Sequence, residues 1–369
     1  MARIGIDARK IADFGIGSHI YFLLKNFAEV DKEHRFFLFA HPDDAHYFSE
    51  FPARFEFVPE YSGKYSLGEL FSLSYKARKL RLDLFHSPHY VLPFLLPCPA
   101  VVTVHDLIHL LFPQYLPHNW AKFYARYMIG RGVKRASRVI TVSHSSKRDI
   151  LRFFRVPEEK IEVIYNGVAP ELMEPLSSEE LDKVRRKYGI YEPFLLFVGN
   201  LKPHKNLRRL ISSFARVAVQ VPELLLVVVG DELHNHPDLA REVEEKKLKG
   251  RVRFFGYTER GELKGLYQLA EILVFPSLYE GFGLPPLEAM AVGTPVVASN
   301  VSSIPEVVGD AALLVDPRDE EMIAKGILRL LNERGLKQDL IEKGKKRAKI
   351  FSWRKTAELT LEVYNQVLR

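Results

Sequence analysis

Two glutamates, Glu280 and Glu288, stand eight residues apart in the segment EGFGLPPLE, and two glycines and two prolines separate them. Glycine removes the side chains that would keep a ligand away from backbone N–H groups, and proline is tolerated in the first turn of a helix. We expect Glu280 on a loop and Glu288 about one turn into a helix whose N-terminus suits phosphate. Each acid taken alone would also fit a solvated loop acid or a helix-dipole partner. The combination favours a binding site.

A second candidate segment, FVGNLKPHKNLRRLI, ends a predicted strand and opens a predicted helix. Gly199 and Asn200 end the strand, and Lys205 lies where a cation could meet an anionic ligand. The alternative is a surface loop with a lysine at the helix entry.

Glycines also follow the first predicted strand, RIGID, in the segment DFGIGSHIYF. Gly15 and Gly17 form half of a dinucleotide-binding fingerprint, but Ile20 occupies the position of its third glycine. The segment is therefore poor evidence for NAD.

Polar residues follow four other predicted strands, where ligands of parallel sheets bind. His105 and Asp106 come directly after AVVTV, and a histidine there is able to act at neutral pH. Ser143 follows RVITV and fits a helix N-cap or a ligand contact. Asn166 and Gly167 end KIEVIYNG, and Tyr257 ends RVRFFGY.

Short apolar runs alternate with amphipathic segments in two series, a pattern typical of βα units and parallel sheets. The first series has helices near residues 18–30, 67–80, 117–136 and 145–154, and strands at RIGID, RFFLFA, RFEFV, DLFHS, AVVTV and RVITVS. The second series has strands at FLLFVG, LLLVVVG, RVRFFG, ILVFPS, PVVAS and ALLVD.

This pattern predicts two α/β domains with doubly wound parallel sheets that face each other across a cleft. We assign residues 1–172 to the first domain and 188–352 to the second, because Gly, Pro and Ser punctuate the segment between Gly167 and Pro193. The chain from Asp319 onward is expected to be entirely helical. Its last helix, 353–369, would start at the N-cap Ser352 and return to the first domain. Trp353, Ala357, Leu361 and Tyr364 share one face of it.

Composition narrows the class of protein. The chain has 47% apolar and 27% charged residues, one cysteine and no uninterrupted apolar run of about 18 residues, so we expect a protein of the cell interior without disulfides. Its N-terminus reads as a strand without an export leader. The net charge of +7 favours anionic partners such as nucleotides, diphosphate-linked substrates or acidic lipid. No compact cluster of metal ligands and no Asp-x-Asp signature is evident.

EGFGLPPLE resembles the E-x7-E motif of retaining glycosyltransferases of family 4, and the resemblance extends over nearly the whole chain. It implies the GT-B architecture of two Rossmann-like domains. It also implies that Glu280 contacts the transferred sugar, Glu288 binds the ribose, and the amides after Glu280 hold the diphosphate. Lys205 matches the family's lysine, whereas Asn200 replaces its arginine. The form GN..PHKN resembles the mannosyltransferase-like branch.

Residues and resemblance together give a set of site predictions. The catalytic candidates are His105, which would contact the donor sugar, Lys205 and Glu280. The donor-binding candidates are Gly15, Gly17, Gly199, Asn200, Lys205, Tyr257, Glu280, Gly281, Phe282, Gly283, Leu284 and Glu288. The acceptor-side candidates are Asp106, Ser143 and Asn166.

The resemblance implies a retaining, metal-independent transferase without a cofactor, whose donor is GDP-mannose or, next, a UDP-hexose. Its acceptor would be a glycan or lipid-linked glycan of envelope polysaccharide or glycolipid synthesis. No nucleic-acid partner is expected. Basic, aromatic-rich segments such as HNWAKFYARYMIGRGVKRASR fit an interfacial helix at the inner face of the membrane or an ordinary half-buried helix. The alternatives are a sugar-nucleotide 2-epimerase of this fold and an inactive binding protein. Asn200 is the one feature that favours the inactive binding protein.

Overall fold

A computed structural model describes residues 1–13, 15–63, 67–115, 119–231 and 233–369. These residues form two compact units. The first contains Met1–Gly167 and Ser352–Arg369, and the second contains Val168–Phe351.

A seven-stranded parallel sheet forms the centre of the first unit, in the order β3-β2-β1-β4-β5-β6-β7. Its strands are β1 (Arg3–Asp7), β2 (Arg35–Ala40), β3 (Phe55–Pro59), β4 (Leu84–Ser87), β5 (Ala100–Val104), β6 (Arg138–Thr141) and β7 (Ile161–Val163).

A six-stranded parallel sheet forms the centre of the second unit, in the order β10-β9-β8-β11-β12-β13. Its strands are β8 (Phe194–Gly199), β9 (Leu225–Gly230), β10 (Val252–Phe255), β11 (Ile272–Phe275), β12 (Val296–Ser299) and β13 (Leu313–Val315). The predicted fold class, with two parallel-sheet units, is confirmed.

Helices connect the strands of both units. They are α1 (Ile16–Val30), α2 (Leu67–Lys79), α3 (Ile108–Leu111), α4 (Asn119–Arg135), α5 (His144–Phe153), α6 (Ser178–Tyr188), α7 (Leu207–Gln220), α8 (Pro237–Glu245), α9 (Arg260–Leu269), α10 (Leu284–Val292), α11 (Ile304–Val308), α12 (Glu320–Asn332), α13 (Arg334–Ala348) and α14 (Trp353–Leu368).

Successive side chains of a strand point to opposite faces of a sheet, and in the first unit both faces pack against helices. Side chains on both faces of this sheet are therefore apolar. On β2, Phe36 and Leu38 belong to the core cluster that contains α1 and α14, whereas Phe37 and Phe39 belong to the cluster under α2 and α4. This explains why the run RFFLFA is continuously apolar instead of alternating with polar residues.

The last helix completes the first unit, as the sequence predicts. Ser352 caps α14 by accepting a hydrogen bond from the Lys355 N–H. Trp353, Ala357 and Tyr364 are buried, and Leu361 is half-buried. The Tyr364 hydroxyl lies 2.5 Å from Nδ1 of His86 on β4, which ties the helix to the sheet.

One predicted boundary is wrong. The strand at KIEVIYNG ends at Val163, so Asn166 and Gly167 lie in the following loop. A Cβ at Gly167 would lie 2.1 Å from the Trp353 nitrogen, so only glycine allows the start of α14 this close. After Asp319 the chain forms the helices α12, α13 and α14, in agreement with the helical segment expected there. Residues 117 and 118 of the helix expected over 117–136 lie outside the described part of the chain.

Candidate active site

Lys205 and Glu280, 75 residues apart in sequence, form an ion pair in the second unit. Lys205 ends a short 3-10 turn, Pro203–Lys205, after β8, and Glu280 lies in the loop after β11, the neighbouring strand. The lysine Nζ donates to both carboxylate oxygens, at 2.8 and 2.9 Å. Only 13% and 11% of these side chains are exposed, so the pair is shielded from water. Two residues predicted to act on one ligand thus neutralise each other.

Two serines hold the Glu280 loop, and sequence reasoning missed both. The Glu280 N–H donates to Ser302 Oγ at 3.0 Å. The Ser303 hydroxyl donates to the carbonyl oxygens of Glu280 and Phe282, at 2.9 and 2.8 Å. The signal that could have found them is their position just after β12, at the carboxyl edge of the sheet where ligands bind.

Gly283 is the N-cap of α10, with a φ of 109° that favours glycine. A Cβ there would also lie 2.6 Å from Ile304 Cδ1. The helix begins at Leu284, and both prolines lie in its first turn, as predicted. Gly281 and Phe282 are buried in the loop before it. The local geometry therefore presents a helix N-terminus directly after Glu280.

Glu288 is positioned by Tyr267 of α9, another residue that the sequence did not indicate. The Tyr267 hydroxyl donates to Glu288 Oε2 at 2.8 Å. Burial raises the pKa of Glu288, and the Tyr267 hydrogen bond and the Arg260 charge only partly offset this. A carboxylate has acceptor capacity beyond one hydrogen bond, so Glu288 remains able to accept from a ligand hydroxyl.

Gly199 and Asn200 lie at the carboxyl end of β8. Gly199 pairs with Gly230 of β9, and a Cβ on Gly230 would lie 1.9 Å from the Gly199 oxygen. The Asn200 side chain accepts a long hydrogen bond, 3.4 Å, from the Lys202 N–H. The N–H of Leu201, the residue directly after Asn200, donates to the Asp231 carboxylate at 3.1 Å. Asn200 thus shapes the loop that leads to Lys205.

Tyr257 lies apart from this arrangement. It follows the edge strand β10, and β9 separates β10 from β8. Its side chain is 73% exposed. The structure therefore does not bring Tyr257 together with Lys205 and Glu280.

Two histidines meet in the first unit. His105 follows β5, and its Nε2 donates to the Pro88 carbonyl at 2.9 Å. The ring of His19, on α1, packs edge-on against it with 4.7 Å between centroids. Burial lowers the pKa of His19 to about 3 and that of His105 to about 4, so both rings are neutral at physiological pH. His105 would therefore meet a ligand as a neutral imidazole.

Asn166 positions His19. The distance between Asn166 Oδ1 and His19 Nδ1 is 2.8 Å, and an amide oxygen only accepts, so Nδ1 carries the proton. The lone pair then lies on Nε2, a buried atom without a hydrogen-bond partner in the described part of the chain. His19 lies within the segment DFGIGSHIYF, but the protonation of its ring depends on Asn166, far along the chain.

The remaining first-unit candidates have local roles. Asp106 accepts a hydrogen bond from the Ile108 N–H at 3.0 Å. Ser143 caps α5 by accepting from the Ser146 N–H, and the Ser146 hydroxyl donates to the His105 carbonyl. These contacts fix the loop that carries His105.

The glycine segment that opens α1 makes a close backbone contact. A Cβ at Gly17 would lie 2.2 Å from the Ile11 carbonyl oxygen. At Gly15, whose φ is 66°, an added Cβ would meet no atom within 4 Å. Gly17 therefore allows the backbone to pack closely against Ile11, and Gly15 allows a backbone conformation with positive φ.

Two family profiles together match most of the chain: Glycosyltransferase Family 4 over residues 15–172, and Glycosyl transferases group 1 over residues 181–347. The O-antigen chain mannosyltransferase B of Escherichia coli is 34% identical over 283 residues, which cover 76% of this chain and 74% of that protein. The chain belongs to glycosyltransferase family 4.

Other relatives of this glycosyltransferase agree. The O-antigen chain mannosyltransferase RfbU of Salmonella typhimurium is 36% identical over 234 residues, 63% of this chain and 60% of that protein. The structure of Anabaena Alr3699/HepE in complex with UDP-glucose has a TM-score of 0.81 at 19% identity and covers 99% of this chain and 100% of its own. The glycosyltransferase therefore has the GT-B type of fold and resembles the mannosyltransferase branch.

In the described parts of the chain, no helix of the glycosyltransferase combines the length and hydropathy of a bilayer-spanning helix. In the same parts of the chain, no group of three or more His, Cys, Asp and Glu side chains is arranged to hold a metal ion.

Proposed function

We propose that this glycosyltransferase transfers mannose from GDP-mannose, with retention of configuration and without a metal ion, to a glycan or lipid-linked glycan. The observation that carries the proposal is the shielded Lys205–Glu280 pair beside the N-terminus of α10. Relatives named as O-antigen mannosyltransferases support mannose as the sugar. A neighbour whose structure was determined with UDP-glucose supports a nucleotide sugar and keeps a UDP-hexose as the next donor.

The nucleotide would be held at Glu288. An ionised carboxylate accepts hydrogen bonds from two adjacent ribose hydroxyls, and such charge-assisted bonds are strong and directional. The Tyr267 hydroxyl holds one oxygen of Glu288 in place, which fixes the orientation of the acceptor group before the ligand arrives. Ligand binding must then keep the carboxylate ionised against the effect of burial.

The diphosphate would take the place of Glu280 beside Lys205. A phosphate oxygen competes with the Glu280 carboxylate for the lysine Nζ, and the amides at the start of α10 supply further positive potential. Once released, Glu280 is able to accept hydrogen bonds from hydroxyls of the donor sugar. The ion pair therefore keeps the Lys205 ammonium and the Glu280 carboxylate side by side, where the first would contact the diphosphate and the second the sugar of one donor.

In the reaction, the bond from the sugar C1 to the diphosphate oxygen breaks, and a bond from C1 to the acceptor oxygen forms on the same face. The acceptor hydroxyl proton passes to the departing phosphate oxygen, so no protein base is needed. Negative charge grows on the diphosphate as the bond breaks. Preorganised donors at that position lower the barrier, and removal of one such donor typically costs about 10² to 10³ in turnover.

The acceptor would be made in envelope polysaccharide or glycolipid synthesis, which we place in the cytoplasm, at the inner face of the membrane. The names of the relatives, which refer to the O-antigen chain, support this class of acceptor. No cofactor is needed, because the donor already carries the activated sugar.

A panel of nucleotide sugars tests the donor. GDP-mannose should raise the unfolding temperature more than GDP, UDP-glucose or UDP-N-acetylglucosamine at equal concentration. The anomeric configuration of the product, read by NMR, should match that of the donor, and EDTA should leave the rate unchanged. A product of inverted configuration, a rate abolished by EDTA, or stabilisation by none of the panel would each contradict the corresponding part of the proposal.

A further inference from the structure

Asn206 directly follows Lys205 and ends the segment GN..PHKN, but it is not among the predicted site residues. Its φ of 63° and ψ of 26° lie in the left-handed region, which asparagine adopts more readily than most residues with a side chain. The residue closes the 3-10 turn that carries Lys205, and it is the N-cap of α7. Only 6% of Asn206 is exposed, so its polar side chain lies within the second unit.

The side-chain amide of Asn206 connects three loops of that unit. Its Nδ2 donates to the carbonyl oxygens of Pro276 and Pro317, at 2.9 and 2.7 Å, and its Oδ1 accepts from Arg209 Nη1 at 2.7 Å. Pro276 directly follows β11, and Pro317 follows β13. These two strands lie on either side of β12. One side chain therefore joins the loop after β8 to the loops after β11 and β13.

Both amide protons of Asn206 and its oxygen are used, which gives the side chain a single orientation. A backbone bond reinforces the connection, since the Leu278 N–H donates to the His204 carbonyl at 2.7 Å. His204 lies in the Lys205 turn, and Leu278 lies in the loop that leads to Glu280. The turn that carries the lysine is therefore bonded, through a side chain and through the main chain, to the loop that carries the glutamate.

We propose that Asn206 is a positioning residue for the transfer reaction, because it holds the turn in which Lys205 lies. Lys205 reaches Glu280 through a long, flexible side chain, so its ammonium keeps its place only if the backbone beneath it is fixed. Charge-stabilising groups lower a barrier when they are in place before the charge develops. The inference rests on the proposed function for the role of Lys205, whereas the restraint on the turn needs no ligand.

Asn206→Gly tests this role, because glycine adopts a positive φ without strain and only the side-chain bonds are lost. The variant should lower kcat by about 10- to 100-fold, since a misplacement of roughly 1 Å costs up to about 10² in rate. Its KM for the nucleotide sugar should change by less than about threefold, because the proposed ribose contact at Glu288 is intact. Steady-state kinetics below the unfolding temperature measure both constants.

Asn206→Asp is a second variant, which also serves if the glycine variant does not fold. Aspartate keeps the size of the side chain, the tolerance of positive φ and an acceptor for Arg209. Its carboxylate, however, brings an oxygen instead of a donor to the Pro276 and Pro317 carbonyls. We expect a loss of kcat of the same order as that of the glycine variant.

A double-mutant cycle with Lys205→Ala separates positioning from general stability. If Asn206 acts through Lys205, Asn206→Gly should change kcat by less than about twofold once the lysine ammonium is absent. Its effect on the unfolding temperature should remain when Lys205 is replaced. A merely structural residue would instead lower kcat by the same factor in both backgrounds.

Two other variants of the second unit are matched controls. Lys247→Gly places glycine at another left-handed residue, which has a φ of 57° and is exposed. Val252→Ala leaves a cavity in the core beside the edge strand β10, two strands from β8, and lowers stability at a distance from the turn. Both variants should keep kcat within about twofold of wild type.

Chemical modification tests the restraint without a donor. Reductive methylation with formaldehyde and cyanoborohydride, followed by mass spectrometry, reports how readily each lysine amine of the full chain is reached. The Lys205 side chain is 13% exposed, so it should react slowly in wild type. In Asn206→Gly its rate should rise about fivefold or more, because the turn opens more often. The exposed Lys249 should react at the same rate in both proteins.

Four outcomes would overturn the proposal. They are a wild-type kcat for Asn206→Gly, the same loss of kcat in the Lys205→Ala background, an equal loss in Val252→Ala, and methylation of Lys205 at the wild-type rate in Asn206→Gly. Because the methylation measurement contains no nucleotide sugar, a wrong donor assignment would leave it unchanged. Conversely, failure of the positioning role would leave the ranking of the nucleotide sugars intact.

Discussion

At the scale of residues, the partly buried carboxylate of Glu288 makes the stability of the second unit depend on pH. Burial raises its pKa above 4.5, the value of a glutamate in the unfolded chain. As pH rises through the window between these two pKa values, the folded state keeps a proton that the unfolded state has released. The free energy of unfolding therefore falls across that window and stays lower above it.

Glu288→Gln removes this cost of ionisation. We expect the variant to match wild type near pH 4 and to become more stable than wild type as pH rises, in urea unfolding followed by circular dichroism. It should also lose nucleotide affinity in calorimetry, because an amide cannot replace an anionic acceptor. Glu174→Gln, at an exposed position, is the control and should follow wild type. Parallel pH profiles for all three proteins would show that burial of Glu288 has no energetic consequence.

The Lys205–Glu280 pair gives a second residue-scale prediction. Lys205→Ala should lower turnover by about 10²-fold, because one charge-stabilising donor is lost where the leaving group departs. Lys205→Arg keeps the charge and should retain more of the turnover. Release of GDP from GDP-mannose measures both. Turnover of the alanine variant within twofold of wild type would remove Lys205 from the reaction.

At the scale of elements, the loop between β11 and α10 depends on Ser303. Ser303→Ala removes the hydroxyl proton that the carbonyl oxygens of Glu280 and Phe282 share, which costs about 0.5–1.5 kcal/mol. We expect a higher KM for the nucleotide sugar, measured by steady-state kinetics, because the loop amides lose their fixed positions. Ser299→Ala, at the end of β12, is the matched control: its buried hydroxyl has no partner in the described residues, so its loss should leave KM unchanged. Equal KM values for the two variants would contradict the loop's dependence on Ser303.

Elements were largely predictable, but the contacts that complete the site were not. Apolar runs located the thirteen strands within a few residues, except that KIEVIYNG was read as far too long. Glycines and prolines located the start of α10. Tyr267, Ser303 and His19 were missed because each acts through a partner distant in sequence, and no local pattern encodes such pairs. The roles of the predicted site residues stay predictions.

At the scale of the whole molecule, the first unit needs the last helix of the chain. Tyr364 of α14 is fully buried, and its hydroxyl lies against His86. Tyr364→Ala should lower the free energy of unfolding of this unit by about 3–5 kcal/mol, as other large aromatic-to-alanine changes in cores do. Loss of hydrogen-exchange protection in β1 and β4 would measure this decrease in the free energy of unfolding. Glu362→Ala, exposed on the same helix, should leave that protection intact.

The same arrangement has a consequence during synthesis on the ribosome. The second unit is one continuous segment, Val168–Phe351, whereas the first lacks its final piece until residue 369 has been made. Domains generally fold as units while the chain emerges. We therefore expect the later-made segment to fold before the earlier one is complete. Until α14 has emerged from the ribosome, the apolar surface of α1 that receives it would remain exposed and open to chaperones.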